Sequence, residues 1–224
     1  MQIMNNIKWF IDMCIIIYYA KDNPNSELSM KAANFVKNKG NSQFLLCYYI
    51  SEINLPKWIK RQRIIIEEVK RNVKDNNYSI GSSFEGKILF EQDKNECKKL
   101  YFKYMNTENK SEFFMLQKKN QQMIEQKISY FINKLIDKKV IPISEIDFEL
   151  KSSLFTYLDN NDSDAKTIAS AVQQHNKETQ EQLIIITSDK KHWTKQLLED
   201  SISLHPALTK KYPKLPEIKY LQEL

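Results

Sequence analysis

The segment Leu183–Thr187 has the sequence LIIIT, an unbroken run of branched side chains that is followed by Ser188 and Asp189. A run of this length and composition predicts a β-strand buried on both faces, which is typical of a parallel sheet. A chain that contains such a strand must cover each of its faces with another layer of structure. This requirement favours an architecture in which helices lie on both sides of a sheet.

Other segments fit the same architecture. Lys8–Met13 and Gln43–Cys47 predict two more buried strands. Val140–Ser144 predicts a short strand whose proline lies either on an edge strand or at the start of the strand, because proline cannot donate to a ladder. Asp164–Gln174 has the periodicity of an amphipathic helix. Strands that alternate with helices imply βαβ units. We therefore predict an α/β fold with three αβα layers around a central, mostly parallel sheet.

The middle of the chain has a different character. Residues 57–139 are polar and helical in pattern, with loops expected near 76–83 and 106–110. They contain 19 lysines and arginines against 11 acids, a net charge of +8, so the rest of the 224-residue chain carries −2. The prediction is one domain over 1–224 in which 57–139 is a basic helical insertion. A basic segment of this kind suits contact with a polyanion, although such runs are also common as solvated surfaces.

Composition excludes several classes of protein. Three cysteines and three histidines occur without a CxxC pair or a mixed cluster, which argues against a disulfide framework or a structural zinc site. Three glycines build neither a dinucleotide-binding nor a P-loop motif. No apolar stretch is long enough to cross a membrane, and the apolar run near the N-terminus contains Asp12. A cytoplasmic protein that does not contact membranes is expected.

Acidic residues occur where a parallel sheet binds ligands, outside the carboxyl ends of its strands. Asp12 ends the first predicted strand, and Asp189 follows the LIIIT strand. Glu52 comes five residues after the second strand, and Asp164 opens the predicted helix before LIIIT. Converging carboxylates repel one another unless a cation neutralises them, and sites of carboxylates and water favour Mg²⁺ or Mn²⁺. The four acids therefore predict a metal site.

Each acid also has an ordinary structural interpretation. Asp164 could cap a helix, Asp189 could begin a turn, and Glu52 could pair with a nearby lysine on the surface. Asp12 is harder to explain in this way, because a carboxylate within an apolar run is costly to bury without a partner. Asp162 is a candidate for the role of Asp164 or for a supporting one. The ordered set of four is what favours a site.

Four strings carry a resemblance to a known family: WFID at 9–12, CYYISE at 47–52, DAKTIASA at 164–171 and IIITSDK at 184–190. In this order and spacing they resemble the motifs of the PIN-domain nucleases. The resemblance covers residues 8–54 and 140–195, and its last two strings are the most specific. Cys47 departs from the pattern, since the family often has a small hydroxyl residue there.

The resemblance implies a metal-dependent endoribonuclease with Asp12, Glu52, Asp164 and Asp189 as catalytic and metal-binding residues. Thr187 and Ser188 could support the carboxylates by hydrogen bonds. It also implies RNA, single-stranded or structured, as the substrate and, for a toxin of a toxin–antitoxin pair, a neutralising protein partner and a homodimer. The candidate nucleic-acid contacts are basic residues beside the second and fourth acids: Lys57, Lys60, Arg61, Arg63, Lys190 and Lys191. Tyr48, Tyr49, Trp58 and Trp193 could stack on bases or pack in the core.

Two other functions compete with the nuclease. A phosphatase of the haloacid-dehalogenase type would use Asp12 as its nucleophile, but that chemistry requires another acid two residues later, where this chain has Cys14. A non-catalytic protein could keep the PIN-like fold and bind nucleic acid or act as a scaffold. Cleavage assays separate these alternatives, because only the nuclease produces metal-dependent fragments.

Overall fold

The computed structural model describes residues 7–178 and 182–224. Its sheet has five strands in the order β3-β2-β1-β4-β5, and every neighbouring pair is parallel. The fold is therefore α/β with a parallel sheet, as the alternation of strands and helices predicts. The strands are β1 Lys8–Ile11, β2 Gln43–Cys47, β3 Lys138–Val140, β4 Leu183–Thr187 and β5 Glu217–Tyr220.

Strands β1 and β4 lie side by side near the middle of the sheet. Their register pairs Lys8 with Leu183 and Ile11 with Ile186. Leu183–Thr187 is buried along its whole length, as are Phe10 and Ile11 at the end of β1. The LIIIT sequence is thus explained by its position, because a central strand of a parallel sheet is covered on both faces.

Helices connect the strands in two groups that follow the direction of the crossovers. The chain moves from β1 to β2 to β3 in one direction across the sheet, then returns past β1 to β4 and β5. Because βαβ crossovers are right-handed, the reversal places the helices between β1 and β2 on the opposite face of the sheet from the helices that follow β3 and β4. The helices are α1 Met13–Lys21, α2 Glu27–Lys37, α3 Leu55–Lys74, α4 Glu91–Met105, α5 Lys110–Tyr130, α6 Phe148–Tyr157, α7 Asp162–Lys177, α8 Lys195–Ser203 and α9 Pro206–Lys211.

Contacts between helices agree with this division. Helix α1 packs on α2, whereas α6 packs on α7 and α8, and α8 packs on α9. The first pair follows β1, and the second group follows β3 and β4. The arrangement is consistent with the three αβα layers predicted from the sequence.

The described chain divides into two compact units. The first contains the sheet and is formed by residues up to Asn54 together with those from Lys127 onward. The second, residues 55–126, lies between these two parts of the sequence and contains α3, α4 and most of α5. The second unit has its own apolar cluster of Ile64, Ile65, Val69, Leu89 and Cys97.

The structure corrects several element boundaries. Strand β1 ends at Ile11 rather than Met13, because Asp12 is extended at the N-cap of α1. Strand β3 spans Lys138–Val140 rather than Val140–Ser144, so the edge position is confirmed but Pro142 lies beyond the strand. Ile141, between them, has a positive φ of 51°, which no ladder residue adopts.

Two further corrections concern the C-terminal part. Helix α7 begins at Asp162 rather than Asp164, since Asn161 caps it by accepting from the backbone N–H groups of Ser163 and Asp164. A fifth strand, β5, follows LIIIT in the chain and pairs with it, although the sequence analysis did not predict this strand. The pattern of β5, EIKY, is too short and too charged to stand out as a strand.

The turn after β2 precedes Pro56, a residue that could either kink a helix or start one. Residues Ile50–Asn54 form a π-helical turn, and the regular helix α3 starts at Leu55. Proline lacks an N–H group and is tolerated in the first turn of a helix, so the helix starts afresh at this point.

Along the described residues, none of the helices combines the length and the apolar composition needed to cross a bilayer.

Candidate metal centre

The site lies at the carboxyl ends of β1 and β4. Asp12 directly follows β1, and its backbone N–H donates to the carbonyl oxygen of Ile186 at 3.1 Å. Asp189 comes two residues after β4. Because the two strands are parallel neighbours, both acids are held at the same edge of the sheet.

Asp12 is nearly buried, with 9 % of its surface exposed. Thr187 donates from Oγ1 to Asp12 Oδ2 at 2.7 Å, and Cys14 donates from Sγ to the same oxygen at 2.9 Å. Burial raises the pKa of Asp12 above its ordinary value, while these two hydrogen bonds oppose the rise. Both side-chain donors thus hold one oxygen of the carboxylate and fix its orientation.

Thr187 connects the first acid to the fourth. Its hydroxyl oxygen donates to Asp12 and accepts from the backbone N–H of Asp189 at 3.1 Å. The backbone N–H of Ser188 donates to Cys14 Sγ at 3.2 Å, and its carbonyl accepts from the Gln222 amide at 2.8 Å. Thr187 thus contacts the Asp12 carboxylate through its hydroxyl, whereas Ser188 contributes backbone groups.

Asp189 forms a tight turn with the residues that follow it. Its Oδ1 accepts from the backbone N–H groups of Lys191 and His192 at 2.9 and 3.0 Å, and its Oδ2 lies 2.9 Å from His192 Nδ1. Burial acts to raise the pKa of Asp189, but the hydrogen bonds from His192 and Lys191 hold that pKa below its ordinary value. Asp189 is therefore the acid of the site that is most readily ionised.

Asp164 is the third residue of α7. The Asn161 amide donates to Asp164 Oδ2 at 2.7 Å. Burial, together with the negative charges of Asp12 and Asp189, raises the pKa of Asp164 to about 7, against the effects of His192 and a hydrogen bond from Trp193. A raised pKa from like charges is the expected sign of carboxylates that share a site without enough positive charge nearby.

The structure brings together three of the four predicted acids. Oxygen atoms of Asp164 and Asp189 and a ring nitrogen of His192 all lie within 4.8 Å of one another. Asp12 belongs to the same electrostatic group, because its charge acts on the pKa of Asp164 and the charge of Asp189 acts on that of Asp12. Asp164, Asp189 and His192 thus form a donor set of two carboxylates and one imidazole that fits a divalent cation, and Thr187 links Asp189 to the neighbouring Asp12 carboxylate.

Glu52 is not part of this cluster. It lies on the π-helical turn and its side chain is exposed. Asn54, two residues later, donates from Nδ2 to Ser163 Oγ at 2.8 Å, so this turn adjoins the N-terminus of α7 next to Asp164. The element that carries Glu52 thus lies beside the site, while the glutamate itself adds no ligand atom to the group.

The carboxylate of Asp162 forms ion pairs with two lysines. It pairs with Lys166 Nζ at 2.5 Å and with Lys151 Nζ at 3.4 Å. The hydrogen bond from Lys166 is the main cause of a lowered pKa at Asp162. A carboxylate that is already neutralised has little remaining attraction for a metal ion, so Asp164 is the better candidate of the two.

The predicted nucleic-acid contacts differ in their availability. Arg61 pairs with Asp93 at 3.0 Å, and Arg63 forms a two-pronged pair with Glu125. Lys190 pairs with Glu223 at 2.8 Å. Lys57 and Lys60 are exposed and form no ion pair with a described residue, and exposed Lys191 has only a distant acid, Asp159, at 3.8 Å.

The aromatic residues beside the predicted acids are mostly in the core. Tyr49, Trp58 and Trp193 are buried, and Trp193 donates a hydrogen bond that lowers the pKa of Asp164. Trp193 therefore supports the site instead of offering a face for base stacking. Tyr48 is half-buried, with Lys139 Nζ 5.8 Å from its ring centre.

Sequence reasoning missed His192 and the role of Cys14. The signal for His192 was its position three residues after Asp189, because an aspartate that begins a turn accepts from groups two and three residues later. Cys14 follows Asp12 by two residues in the first turn of α1, which brings its sulfur next to the Asp12 carboxylate. Both contacts depend on local backbone geometry that residue spacing alone does not specify.

The raised pKa of Asp164 gives a test of the cluster without any substrate. Between about pH 4 and 7 folded Asp164 keeps a proton that the unfolded chain has released, so stability falls as pH rises through this window. We expect metal-free Asp164→Asn to be more stable than the wild type at pH 8 by roughly 2 kcal/mol, after allowance for solvent screening of a partly exposed group. Urea unfolding at several pH values measures this difference.

The difference should shrink towards pH 5, where the wild-type carboxyl is protonated and resembles the amide. Mn²⁺ should stabilise the wild type at pH 8 more than it stabilises Asp164→Asn, because a ligand that binds only the folded state adds stability. A difference in unfolding free energy that does not vary with pH would show that the pKa of Asp164 is not raised by its surroundings.

Comparisons with known proteins identify no relative. No protein-family model matches the chain. No curated protein and no solved structure matches it. The geometry of the site is therefore the basis for any assignment of function.

Proposed function

We propose that this chain is a metal-dependent ribonuclease with a PIN-like fold, which hydrolyses phosphodiester bonds in RNA. One observation carries the proposal: Asp164 and Asp189, on separate elements, bring carboxylate oxygens within 4.8 Å of each other and of a His192 ring nitrogen, and Thr187 links Asp189 to the buried carboxylate of Asp12 at the ends of β1 and β4. The mutual repulsion of these carboxylates favours a bound cation. The PIN-like motifs of the sequence place acids at these same positions.

The residues present suit Mg²⁺ or Mn²⁺. Asp12, Asp164 and Asp189 would hold the ion, and the imidazole of His192 favours Mn²⁺ more than a site of carboxylates alone would. Bound at this site, a divalent cation would neutralise charge on the phosphate and make water a stronger nucleophile. His192 also has a second role, since its hydrogen bond to Asp189 Oδ2 fixes the orientation of that carboxylate.

The other groups of the site would orient the reacting parts. Thr187 and Cys14 hold Asp12 by one oxygen, which presets the carboxylate before any ligand binds. Glu52, on the turn beside α7, would orient the attacking water from the exposed side of the site. Exposed Lys191, next to the Asp189 turn, would contact the phosphate backbone.

The RNA substrate and the biological setting rest on the resemblance to PIN nucleases. RNA is preferred to DNA because that family acts on RNA. A role as the toxin of a toxin–antitoxin pair, with a neutralising partner and a homodimer, belongs to the same proposal. So does a cytoplasmic location, where RNA substrates occur.

The test is cleavage of a single-stranded RNA labelled at one end, with the purified protein and Mg²⁺ or Mn²⁺. We expect internal fragments with either ion and none in EDTA, because chelation removes the cation that the carboxylates hold. The same incubation with a phosphomonoester tests the phosphatase alternative, which would release phosphate.

Binding and cleavage are scored separately in this experiment. Salt-sensitive RNA binding without fragments at any metal concentration would contradict the proposal and favour a non-catalytic binding protein. Fragments that persist in EDTA would also contradict it, because they would not depend on the acidic cluster.

A further inference from the structure

Helix α4, in the second unit, presents a phenylalanine ring to solvent between lysines. Phe102 has 65 % of its surface exposed. Lys98 and Lys99 are four and three residues before it, one helical turn away, and Lys103 follows it directly. Asn106, four residues after Phe102, is exposed at the end of the helix. We call Lys98, Phe102, Lys103 and Asn106 the α4 face.

The positive charge of this face is not balanced within the helix. All three acids of α4 already have basic partners: Glu91 pairs with Lys94, Asp93 with Arg61, and Glu96 with Lys99. Lys98 and Lys103 are exposed and form no ion pair with a described residue. The two lysines therefore leave a net positive charge on both sides of the Phe102 ring.

A groove continues this surface beyond the end of α4. It has a volume of about 460 Å³ and lies between the Lys103–Asn109 segment and α5. Its lining combines two lysines, one acid (Glu112), amides and apolar side chains, among them Lys103, Asn109, Met115, Leu116, Lys119 and Asn120. Met115 and Leu116 are more than half exposed. The groove offers an apolar floor with cationic and amide groups around it.

We propose that the α4 face binds a single strand of nucleic acid, with a base stacked on Phe102 and phosphates held by Lys98 and Lys103. The proposal rests on the proposed nuclease function for the choice of RNA as the strand. An aromatic ring flanked by lysines is the combination that binds single strands without sequence preference, since every base has a face that can stack.

Charge and geometry favour this occupant over others. A duplex hides the faces of its bases, so it could use the lysines but not the ring. Lys98 and Lys103 are separated by about 7.5 Å along the helix axis and by about 140° around it, so they lie on two sides of Phe102 and can contact different phosphates of one strand. An acidic protein partner would also meet the lysines, and the experiment below includes it as a separate outcome.

The α4 face is a better candidate for nucleic-acid contact than two of the basic residues that the sequence suggested, Arg61 and Arg63. Arg61 and Arg63 on α3 lie in the same unit as α4, but their guanidinium groups are engaged by Asp93 and Glu125. Breaking these pairs to bind phosphate would leave two carboxylates unpaired. Lys98 and Lys103 require no such exchange.

The test measures binding of fluorescein-labelled RNA of about 12 nucleotides to the full chain by anisotropy, in EDTA so that no cleavage occurs. Phe102→Leu should weaken binding roughly tenfold, whereas Phe102→Tyr, which keeps the ring, should stay within about twofold of the wild type. Log affinity falls as log salt rises, and the combined variant Lys98→Gln/Lys103→Gln should make this fall shallower by about 1.4, because it loses two phosphate contacts.

Phe84→Ala with Lys87→Gln is the matched control, because both residues are exposed in the same unit but precede α4. It should bind RNA as the wild type does. Single-stranded DNA and a duplex of the same sequence complete the set, and the duplex should be insensitive to Phe102→Leu.

Equal affinity of Phe102→Leu and the wild type would overturn the proposal, as would an equal loss in the control. Unchanged RNA affinity together with a change of self-association in light scattering would assign the face to protein contacts instead. Because binding is measured without metal, a wild type that binds through α4 but never cleaves would refute the nuclease and leave this inference intact.

Discussion

Asp189→Asn is expected to lower the rate of metal-dependent RNA cleavage by roughly 10³-fold, and Asp12→Asn by a similar factor. Each substitution removes one negative charge from the group that would hold the cation, and loss of several kcal/mol of charge stabilisation corresponds to such a factor. Asp189 has the further effect of positioning His192, whose ring nitrogen lies 2.9 Å from its carboxylate. Initial rates of fragment formation in Mn²⁺ measure the loss.

Asp162→Asn is the matched control for both variants. Asp162 opens the same helix as Asp164, but Lys151 and Lys166 already neutralise it, so its removal should change the rate by less than about twofold. Calorimetric titration with Mn²⁺ should show weakened binding for Asp12→Asn and Asp189→Asn only. Full cleavage by Asp189→Asn would point to a contaminating nuclease and remove the basis for the assignment.

Strong local patterns in the sequence were sufficient to predict the buried central strands of the sheet. Gln43–Cys47 and Leu183–Thr187 coincide with β2 and β4, because buried central strands are uninterrupted apolar runs. Residues 217–220 escaped prediction because an edge strand needs only one covered side, which leaves no long apolar run. The apolar pattern thus reports burial, and it is weakest where burial is partial.

The carboxyl-end rule predicted where the acids would gather. It requires only that Asp12 and Asp189 follow neighbouring parallel strands, and the pairing of β1 with β4 meets that condition. It could not place Glu52, because the π-helical turn changes the direction of side chains by an amount that residue spacing does not encode. Whether Glu52 takes part in the reaction stays a prediction.

Local hydrogen bonds explain what the sequence did not reveal about the site. Cys14 and His192 act through contacts of 2.9 Å that depend on backbone turns after β1 and β4. The basic residues show the reverse limitation. The sequence showed where these residues are, but it did not show that Arg61 and Arg63 form ion pairs with acids of the second unit. These ion pairs neutralise charge that could otherwise bind a phosphate.

The largest expected effect on stability is in the second unit, at Glu68. This glutamate is fully buried, and its carboxylate accepts from Arg71 at 2.8 Å, from the Tyr78 hydroxyl at 2.9 Å, from the Gly81 backbone N–H at 2.6 Å and from Ser83. The two carboxylate oxygens of Glu68 therefore hold the loop that follows α3 in place by these hydrogen bonds. Glu68→Gln places an amide donor against donors, and we expect a loss of about 3 to 5 kcal/mol.

Glu67→Gln provides the matched control, because the neighbouring acid on the same helix is only partly buried and pairs with Lys118 at 2.9 Å. Removal of such a surface pair should cost less than about 1 kcal/mol. Urea unfolding followed by circular dichroism measures both variants, and limited proteolysis within residues 75–85 should cut Glu68→Gln faster than the wild type. Equal stability of the two variants would show that the loop does not depend on the buried carboxylate.

The pH dependence of the same group separates its charge from its shape. Burial acts to raise the pKa of Glu68, but the hydrogen bonds from Ser83, Gly81, Tyr78 and Arg71 outweigh it and hold the pKa below its ordinary value of 4.5. Stability from this group is therefore present above pH 4.5 and is lost as pH falls below it. Glu68→Gln should lack that part of the acid unfolding. Gly86→Ala should destabilise without altering the acid slope in this way, because a Cβ there would lie 2.7 Å from Glu68 Oε2 while the charge remains.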